Sequence, residues 1–439
     1  MEPFNVAILG CGTVGGGTAN ILIDMQKEIS KLAGRDIILK NIITRSPDKA
    51  SKRFNLQNTL FTGKGNNLSR EDTNVYIENI INSPEIDLIV ETIGGSNQNI
   101  LDIFKKALNA KIHVVTANKA LLAEHGKTIF ETANKNNVIV GFEASVCAAI
   151  PVIKTIKESF TGDEIISISG IMNGTSNYIL SKMQEENLTF HDALKLAQEL
   201  GYAEDDPSFD VKGIDAGHKL IILIKLAFGV DLKVEQLAIK GIDHITNDVI
   251  DFAKEMDSVV KLICFAKKSG NKIFAVVMPM MVKKDNYLSS INGVTNALNF
   301  TNKYSGKHFL AGAGAGSLET ASSIVSDIVF AAKHGCSAGY KIPSNDLEFI
   351  DPKYFIIPYN IIFETEDIPG ITGFVTTAIG NHNINIDTVS HNRHNKEKAV
   401  FSISTLPCTL NQVNEVIHEI KTKRPDILLS EPKVIPILY

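Results

Sequence analysis

The 439-residue chain is 44% hydrophobic and 21% charged, a globular balance that excludes disordered, collagen-like and coiled-coil architectures. Its 44 basic residues are scattered singly against 49 acidic ones, for a net charge of −5, so no nucleic-acid partner is expected. A membrane span needs roughly 20 apolar residues; the longest run here, Leu220 to Val230, is shorter and is broken by Lys225, so none is expected. Glu2 and the direct entry into Val6-Ala7-Ile8-Leu9 argue against a signal peptide. Cys11, Cys147, Cys264, Cys336 and Cys408 are too far apart for a disulfide framework or a zinc cluster. A reduced, cytoplasmic chain of roughly two or three domains is expected.

From the amino terminus to about residue 140, short apolar runs alternate with helical stretches: Val6 to Leu9, Ile37 to Thr44, Leu88 to Thr92, Ile112 to Thr116 and Val138 to Phe142. This rhythm predicts an α/β domain on a Rossmann-type parallel sheet. Thr62-Gly63-Lys64-Gly65-Asn66-Asn67 reads as an exposed loop without catalytic duty. After Pro151 the segments lengthen, with strands at Ile165 to Ile171 and Lys272 to Val282 and helices at Ala193 to Leu200 and Asp215 to Phe228. A mixed α+β substrate and dimerisation domain is therefore expected over residues 141–310. Gly312 to Gly316 opens a helix, Thr320 to Lys333, and residues 311–350 are expected to complete the first domain, leaving the middle one as an insertion. Asp351-Pro352 reads as a linker. Residues 354–439 carry strand, helix, strand, strand, helix, strand, the order of a ferredoxin-like module.

Gly10-Cys11-Gly12-Thr13-Val14-Gly15 follows the first strand at once and leads into an apolar helix, the context a dinucleotide fingerprint requires. Its glycines permit close backbone approach, and the helix amino terminus then faces a pyrophosphate. The second strand ends in Thr44-Arg45-Ser46, without the acid that holds a free ribose 2′-hydroxyl. Arg45 suits a 2′-phosphate, which favours NADP over NAD, although a solvated arginine at a strand end reads the same way. Lys119 follows a buried strand at the sheet edge where ligands collect, and Thr92, in Glu91-Thr92-Ile93-Gly94-Gly95, takes the equivalent place one strand earlier. The densest cluster runs from Gly201 to Lys219. Within it Asp215 and Lys219 are four residues apart on one helix face, either as a solvated pair or, given the apolar run beyond, as charges aimed into a cavity. His218 reads as an ordinary packed side chain.

Together these motifs resemble the homoserine dehydrogenases that carry a carboxy-terminal ACT domain, and the resemblance spans essentially the whole chain. It implies NAD(P)H-dependent reduction of L-aspartate 4-semialdehyde to L-homoserine, a step in threonine, methionine and isoleucine synthesis. By resemblance, Lys219 donates the proton, Lys119 is a second catalytic lysine, Glu204 and Asp215 bind homoserine with support from Asp210, and Gly201 touches the cofactor through its backbone. Asn173-Gly174-Thr175-Ser176-Asn177-Tyr178 is similar to the family's substrate loop, which implicates Asn173, Thr175 and Tyr178, and Gly314 sits in a second Gly-rich cofactor contact. The family's usual proline stands as Ala313 here. Glu143 to Pro151 resembles a monovalent-cation loop in which Glu143, Val146, Ala148 and Ile150 would hold Na+ or K+, with Ala148 and Ala149 replacing common glycines. Glu366-Asp367-Ile368-Pro369-Gly370 and Asn383-Ile384-Asn385-Ile386 resemble an ACT effector site. With His391 where glutamine is frequent, it implies an amino-acid effector such as threonine. A homo-oligomer, dimer or tetramer, is expected.

Two rival readings remain at the level of sequence. A non-catalytic amino-acid sensor would not need Lys119, Glu204, Asp215 and Lys219 together. An ACT-bearing 2-hydroxyacid dehydrogenase would need a histidine with an acidic partner and an arginine for the substrate carboxylate, and no convincing set is present.

Overall fold

The computed structural model describes residues 2–335, 345–392 and 398–439; Cys336 lies outside them. Five strands, β1 (Pro3–Leu9), β2 (Asp36–Ile43), β3 (Leu88–Glu91), β4 (His113–Thr116) and β5 (Val140–Gly141), build a parallel sheet ordered β2-β1-β3-β4-β5. Both faces of a parallel sheet are covered, so its strands are apolar almost throughout. Val6, Ile8, Leu88 and Val90 enter one core with α1 (Thr13–Asp24), while Ala7, Leu9, Ile89 and Val114 enter another with α2 (Lys119–Asn136). The chain order reverses between β1 and β3. At such a switch point the loops leaving neighbouring strands part and open a crevice at the carboxyl edge.

The middle part is an antiparallel sheet ordered β10-β9-β6-β7-β8, made of β6 (Ile165–Ile171), β7 (Ser258–Ser269), β8 (Lys272–Lys283), β9 (Thr295–Asn302) and β10 (Gly306–Ala313). Helices α3 (Gly174–Glu186) and α4 (Ile214–Phe228) contribute Ile179, Leu180, Leu220 and Leu223 to its core. The chain then returns to the first sheet: Ile324, Val325, Ile328 and Ala331 of α5 (Ser317–His334) share a core with Phe4, Val6 and Ile8.

Beyond residue 355 the elements are β11 (Tyr359–Glu366), α6 (Ile371–Asn381), β12 (Ile386–Asn392), β13 (Lys398–Thr405), α7 (Leu410–Lys423) and β14 (Lys433–Leu438), with sheet order β14-β11-β13-β12. Strand β14 also pairs with β8 through Ile437↔Met281 and Leu438↔Val282, so the middle and carboxy-terminal sheets are continuous. Buried Asn360 and Ser404 donate to the Met256 sulfur at 3.0 and 3.2 Å across this junction. The segment around Asp351-Pro352, read as a linker, is anchored as well: Phe355 stacks on Phe274 with ring centroids 3.7 Å apart.

Candidate active site

The Gly-rich turn after β1 is shaped by contact as much as by conformation. Gly10 holds φ +96°, a value that side chains with a Cβ rarely adopt. A Cβ on Gly15 would overlap the Gly10 carbonyl, and one on Gly10 would come within 2.8 Å of the Thr92 backbone. Thr92 fixes this approach by donating from its hydroxyl to the Gly10 carbonyl at 2.7 Å. Helix α1 begins at Thr13 with Gly12 as its cap and no side chain bonded to its first N–H groups, which leaves them for an anion. Arg53, on the short helix Pro47–Phe54, reaches the Thr13 hydroxyl at 3.3 Å. Arg45 is exposed at the end of β2.

The loops after β3 and β4 are tied together by Glu91, which is fully buried. One carboxylate oxygen accepts the backbone N–H groups of Ile93 and Gly94, each at 2.8 Å; the other accepts the Thr116 hydroxyl at 2.8 Å and the Asn118 amide at 3.4 Å. Burial raises its pKa above the usual carboxylate value, and these donors oppose the shift. Asn118 in turn caps α2 by accepting from Leu121 N–H. The first residue of that helix is Lys119. Glu91 therefore helps to place Lys119, a structural role that strand-end position alone does not reveal.

Lys119 points across the crevice to the middle domain. A cavity of about 540 Å³ lies between them, bounded by Val14, Lys119, Cys147, Asn173, Asp215 and Lys219 among others. Asp215, in the first turn of α4, takes Lys119 Nζ on one oxygen at 2.9 Å and Lys219 Nζ on the other at 2.7 Å. Lys219 also donates to the Met172 carbonyl at 2.7 Å, and the Asn173 amide donates to Asp210 at 2.7 Å and to Asp215 at 2.9 Å. Burial alone would raise the Asp215 carboxyl, but the two lysines outweigh it and hold it well below the usual carboxylate range. Burial alone would lower the Lys219 ammonium, and Asp215 reverses that, leaving it above its ordinary value. Asp210 is shifted up, chiefly by burial.

Val14, Lys119, Asn173, Thr175, Gly201, Asp210, Asp215, Lys219 and Gly314 thus line one cavity. Thr175 donates to the Tyr202 carbonyl at 2.7 Å, closing that wall. Gly314 leaves no space for a Cβ because the Asn296 amide lies against it. Of the residues expected to bind substrate, two stand elsewhere: Glu204 is exposed and does not line the cavity, and Tyr178 is buried outside its lining, packed on Tyr202 with ring centroids 5.0 Å apart. In the loop after β5, Cys147 and Ala148 take φ of +55° and +43°, keeping the left-handed backbone despite their Cβ atoms. Both Glu143 oxygens accept backbone N–H groups, from Ile153 and Lys154, and the Ala148 carbonyl accepts the Ser323 hydroxyl.

Comparison with known proteins agrees with this arrangement. Residues 10–143 match the family model of the homoserine dehydrogenase NAD-binding domain, and residues 151–329 match that of homoserine dehydrogenase. The chain is 38% identical over 414 residues to the homoserine dehydrogenase of Helicobacter pylori, covering 92% of each chain. A homoserine dehydrogenase structure from Thiobacillus denitrificans superposes with a TM-score of 0.90 at 32% identity, covering 100% of this chain and 99% of that one. A hyperthermophilic archaeal homoserine dehydrogenase in complex with NADPH superposes with a TM-score of 0.62 at 27% identity, covering 75% of this chain and 97% of that one. The chain belongs to the homoserine dehydrogenase family of NAD(P)-dependent oxidoreductases.

Proposed function

We propose that this enzyme interconverts L-aspartate 4-semialdehyde and L-homoserine in the 540 Å³ cavity, with Lys219 exchanging the proton of the reacting oxygen and Lys119 stabilising its charge. The single observation that carries this reading is the Lys119–Asp215–Lys219 constellation, which joins the nucleotide half to the substrate half. Because Asp215 keeps the Lys219 ammonium protonated at neutral pH, the site is set for proton donation, the direction of aldehyde reduction. Asp215 and Asp210, both linked to Asn173, present negative charge to the amino group of homoserine and align its other end with the cofactor. Glu204 joins them only if the exposed 204–206 stretch moves inward on binding.

The Gly10–Gly15 turn, Thr92, Gly201 and Gly314 would hold NAD(P), with Arg45 favouring NADP through its 2′-phosphate. When bound, the nicotinamide supplies or receives the hydride. For a monovalent cation, oxygens of Glu143, Val146, Ala148 and Ile150 would supply a hard donor set, in competition with the hydrogen bonds that both Glu143 carboxylate oxygens and the Ala148 carbonyl accept. Such an ion would offset the negative charge at Glu143, whose pKa is pushed up to about 7 by burial and by Asp327. The carboxy-terminal module is read as a ferredoxin-like ACT domain that contributes to a homo-oligomer and takes an amino-acid effector, threonine being favoured. The uncapped start of α6 at Gly370 offers free N–H groups to a carboxylate.

Incubation of the purified enzyme with homoserine and NADP or NAD, followed by the appearance of reduced nicotinamide, tests the reaction. Lys219→Met and Lys119→Met should each lower turnover by orders of magnitude in a folded protein. Near-normal turnover in both would refute the assignment.

A further inference from the structure

We propose that Lys261, remote from the catalytic lysines, is a positioning residue for the substrate half of the site: it pins the loop 291–295, which forms one cavity wall and abuts the start of α3. The proposal rests on the homoserine dehydrogenase reading of that cavity.

Lys261 lies in the interior of β7 with no exposed surface. A buried ammonium normally pairs with a carboxylate. Here its contacts are all to neutral oxygens: Ile291 carbonyl at 2.5 Å, Asn292 Oδ1 at 2.9 Å and Asn177 Oδ1 at 3.2 Å. An ammonium has three protons, and two of these three acceptors belong to one short loop. Asn177, on α3 and equally buried, completes the clamp: its amide nitrogen lies 3.1, 2.9 and 3.3 Å from the carbonyls of Ile291, Gly293 and Thr295. Alternate carbonyls of the loop thus turn inward to one asparagine and one lysine, and Gly293 supplies the left-handed turn between them at φ +63°.

Val294, exposed between the inward-turned carbonyls of Gly293 and Thr295, lines the cavity. Its carbonyl oxygen would lie 2.7 Å from a Cβ on Gly174, so loop and helix start are in tight contact. Gly174 directly follows Asn173, whose amide spans Asp210 and Asp215. Lys261 is therefore connected by packed contacts to the carboxylate that charges both catalytic lysines, and it touches only the substrate side of the cleft. Burial lowers its pKa to about 8, with Glu185 opposing, which is the cost of holding an ammonium among neutral oxygens. A methionine would fill the same space without that cost but would leave Asn177 Oδ1 and Asn292 Oδ1 without this donor.

The test compares wild type, Lys261→Met and Asn292→Ala in homoserine oxidation, with circular dichroism to establish folding. Asn292 is exposed, and its loss removes a single acceptor from the clamp. Lys261→Met should raise the KM for homoserine and lower kcat by about tenfold each, leaving the KM for NADP within about twofold, and Asn292→Ala should shift homoserine KM the same way by about two- to threefold. Folded variants with wild-type homoserine kinetics, or with equal losses toward both substrates, would overturn the proposal. Should Lys261→Met fail to fold, Asn292→Ala decides alone. An inactive wild type would instead refute the parent reading, so the two failures are distinguishable.

Discussion

Replacing Asp215 with asparagine isolates the electrostatic centre of the enzyme, because the side-chain volume is nearly kept while the one negative charge shared by two lysines is lost. The pairs stand at 2.7 and 2.9 Å. At an effective dielectric near 20 each is worth about 6 kcal/mol before desolvation. After desolvation, removing one member of a buried pair costs about 3–5 kcal/mol. Lys219, 7% exposed, then keeps its burial and loses its counter-charge. With the burial kept and the opposing carboxylate gone, its ammonium should titrate below its wild-type value. The sign follows from the role: a proton donor is lost as pH rises through its pKa, so the alkaline limb for semialdehyde reduction moves to lower pH. The assay is a pH profile of kcat/KM for reduction, wild type against Asp215→Asn, with urea unfolding measured in parallel. An alkaline limb that stays in place in the folded variant would show that Asp215 does not set the charge of Lys219, and the proton-donor assignment would fail.

Arg45→Ala should weaken NADP more than NAD, and Arg53→Ala should do the same if the arginine beside Thr13 shares the 2′-phosphate; equal losses for both cofactors return these side chains to solvent. Gly314→Ala forces a Cβ into the Asn296 amide and should raise the KM for NADP at least about tenfold by displacing the second Gly-rich loop, whereas an unchanged KM would mean the loop tolerates the shift. Lys261 predicts a stability slope at high pH. Its folded pKa, about 8, lies below the ordinary lysine value, so stability should fall as pH drops from that ordinary value toward 8, by up to about 3 kcal/mol, and then level off. Denaturant titrations of Lys261→Met should lack this slope; the same slope in the variant would assign it to another group.

The parallel sheet was legible because β1 to β4 are apolar runs separated by helical stretches, and their ends differ from the sequence reading by at most three residues. The antiparallel sheet was harder. β7 and β8 form one hairpin across Gly270-Asn271, yet β7 alternates charged and apolar residues so irregularly that Lys261 is buried within it. Gly306–Ala313 is a strand whose end takes Gly312 from the Gly-rich stretch read as opening the following helix. At the site, Lys119, Asp215 and Lys219 were visible from strand-end and helical spacing. What brings them together was not: no periodicity in the sequence says that Asn173 will bridge two aspartates or that Glu91 will tie the β3 and β4 loops. Glu204 looked equivalent to its neighbours in a run of carboxylates, and only tertiary folding leaves it exposed while Asp215 is buried.

The return of α5 to the first sheet has a consequence for biosynthesis. Phe4, Val6 and Ile8 are made at the outset and α1 follows at once, but Ile324, Val325 and Ile328, which complete the same core against α1 and the β4–β5 side, emerge only after the whole middle domain. At roughly 5–20 residues per second, that core waits on the order of tens of seconds for its last helix. A core closed by residues so distant in sequence also folds slowly, since loop closure precedes the gain from burial. The nucleotide-binding half is thereby the first part translated and among the last completed.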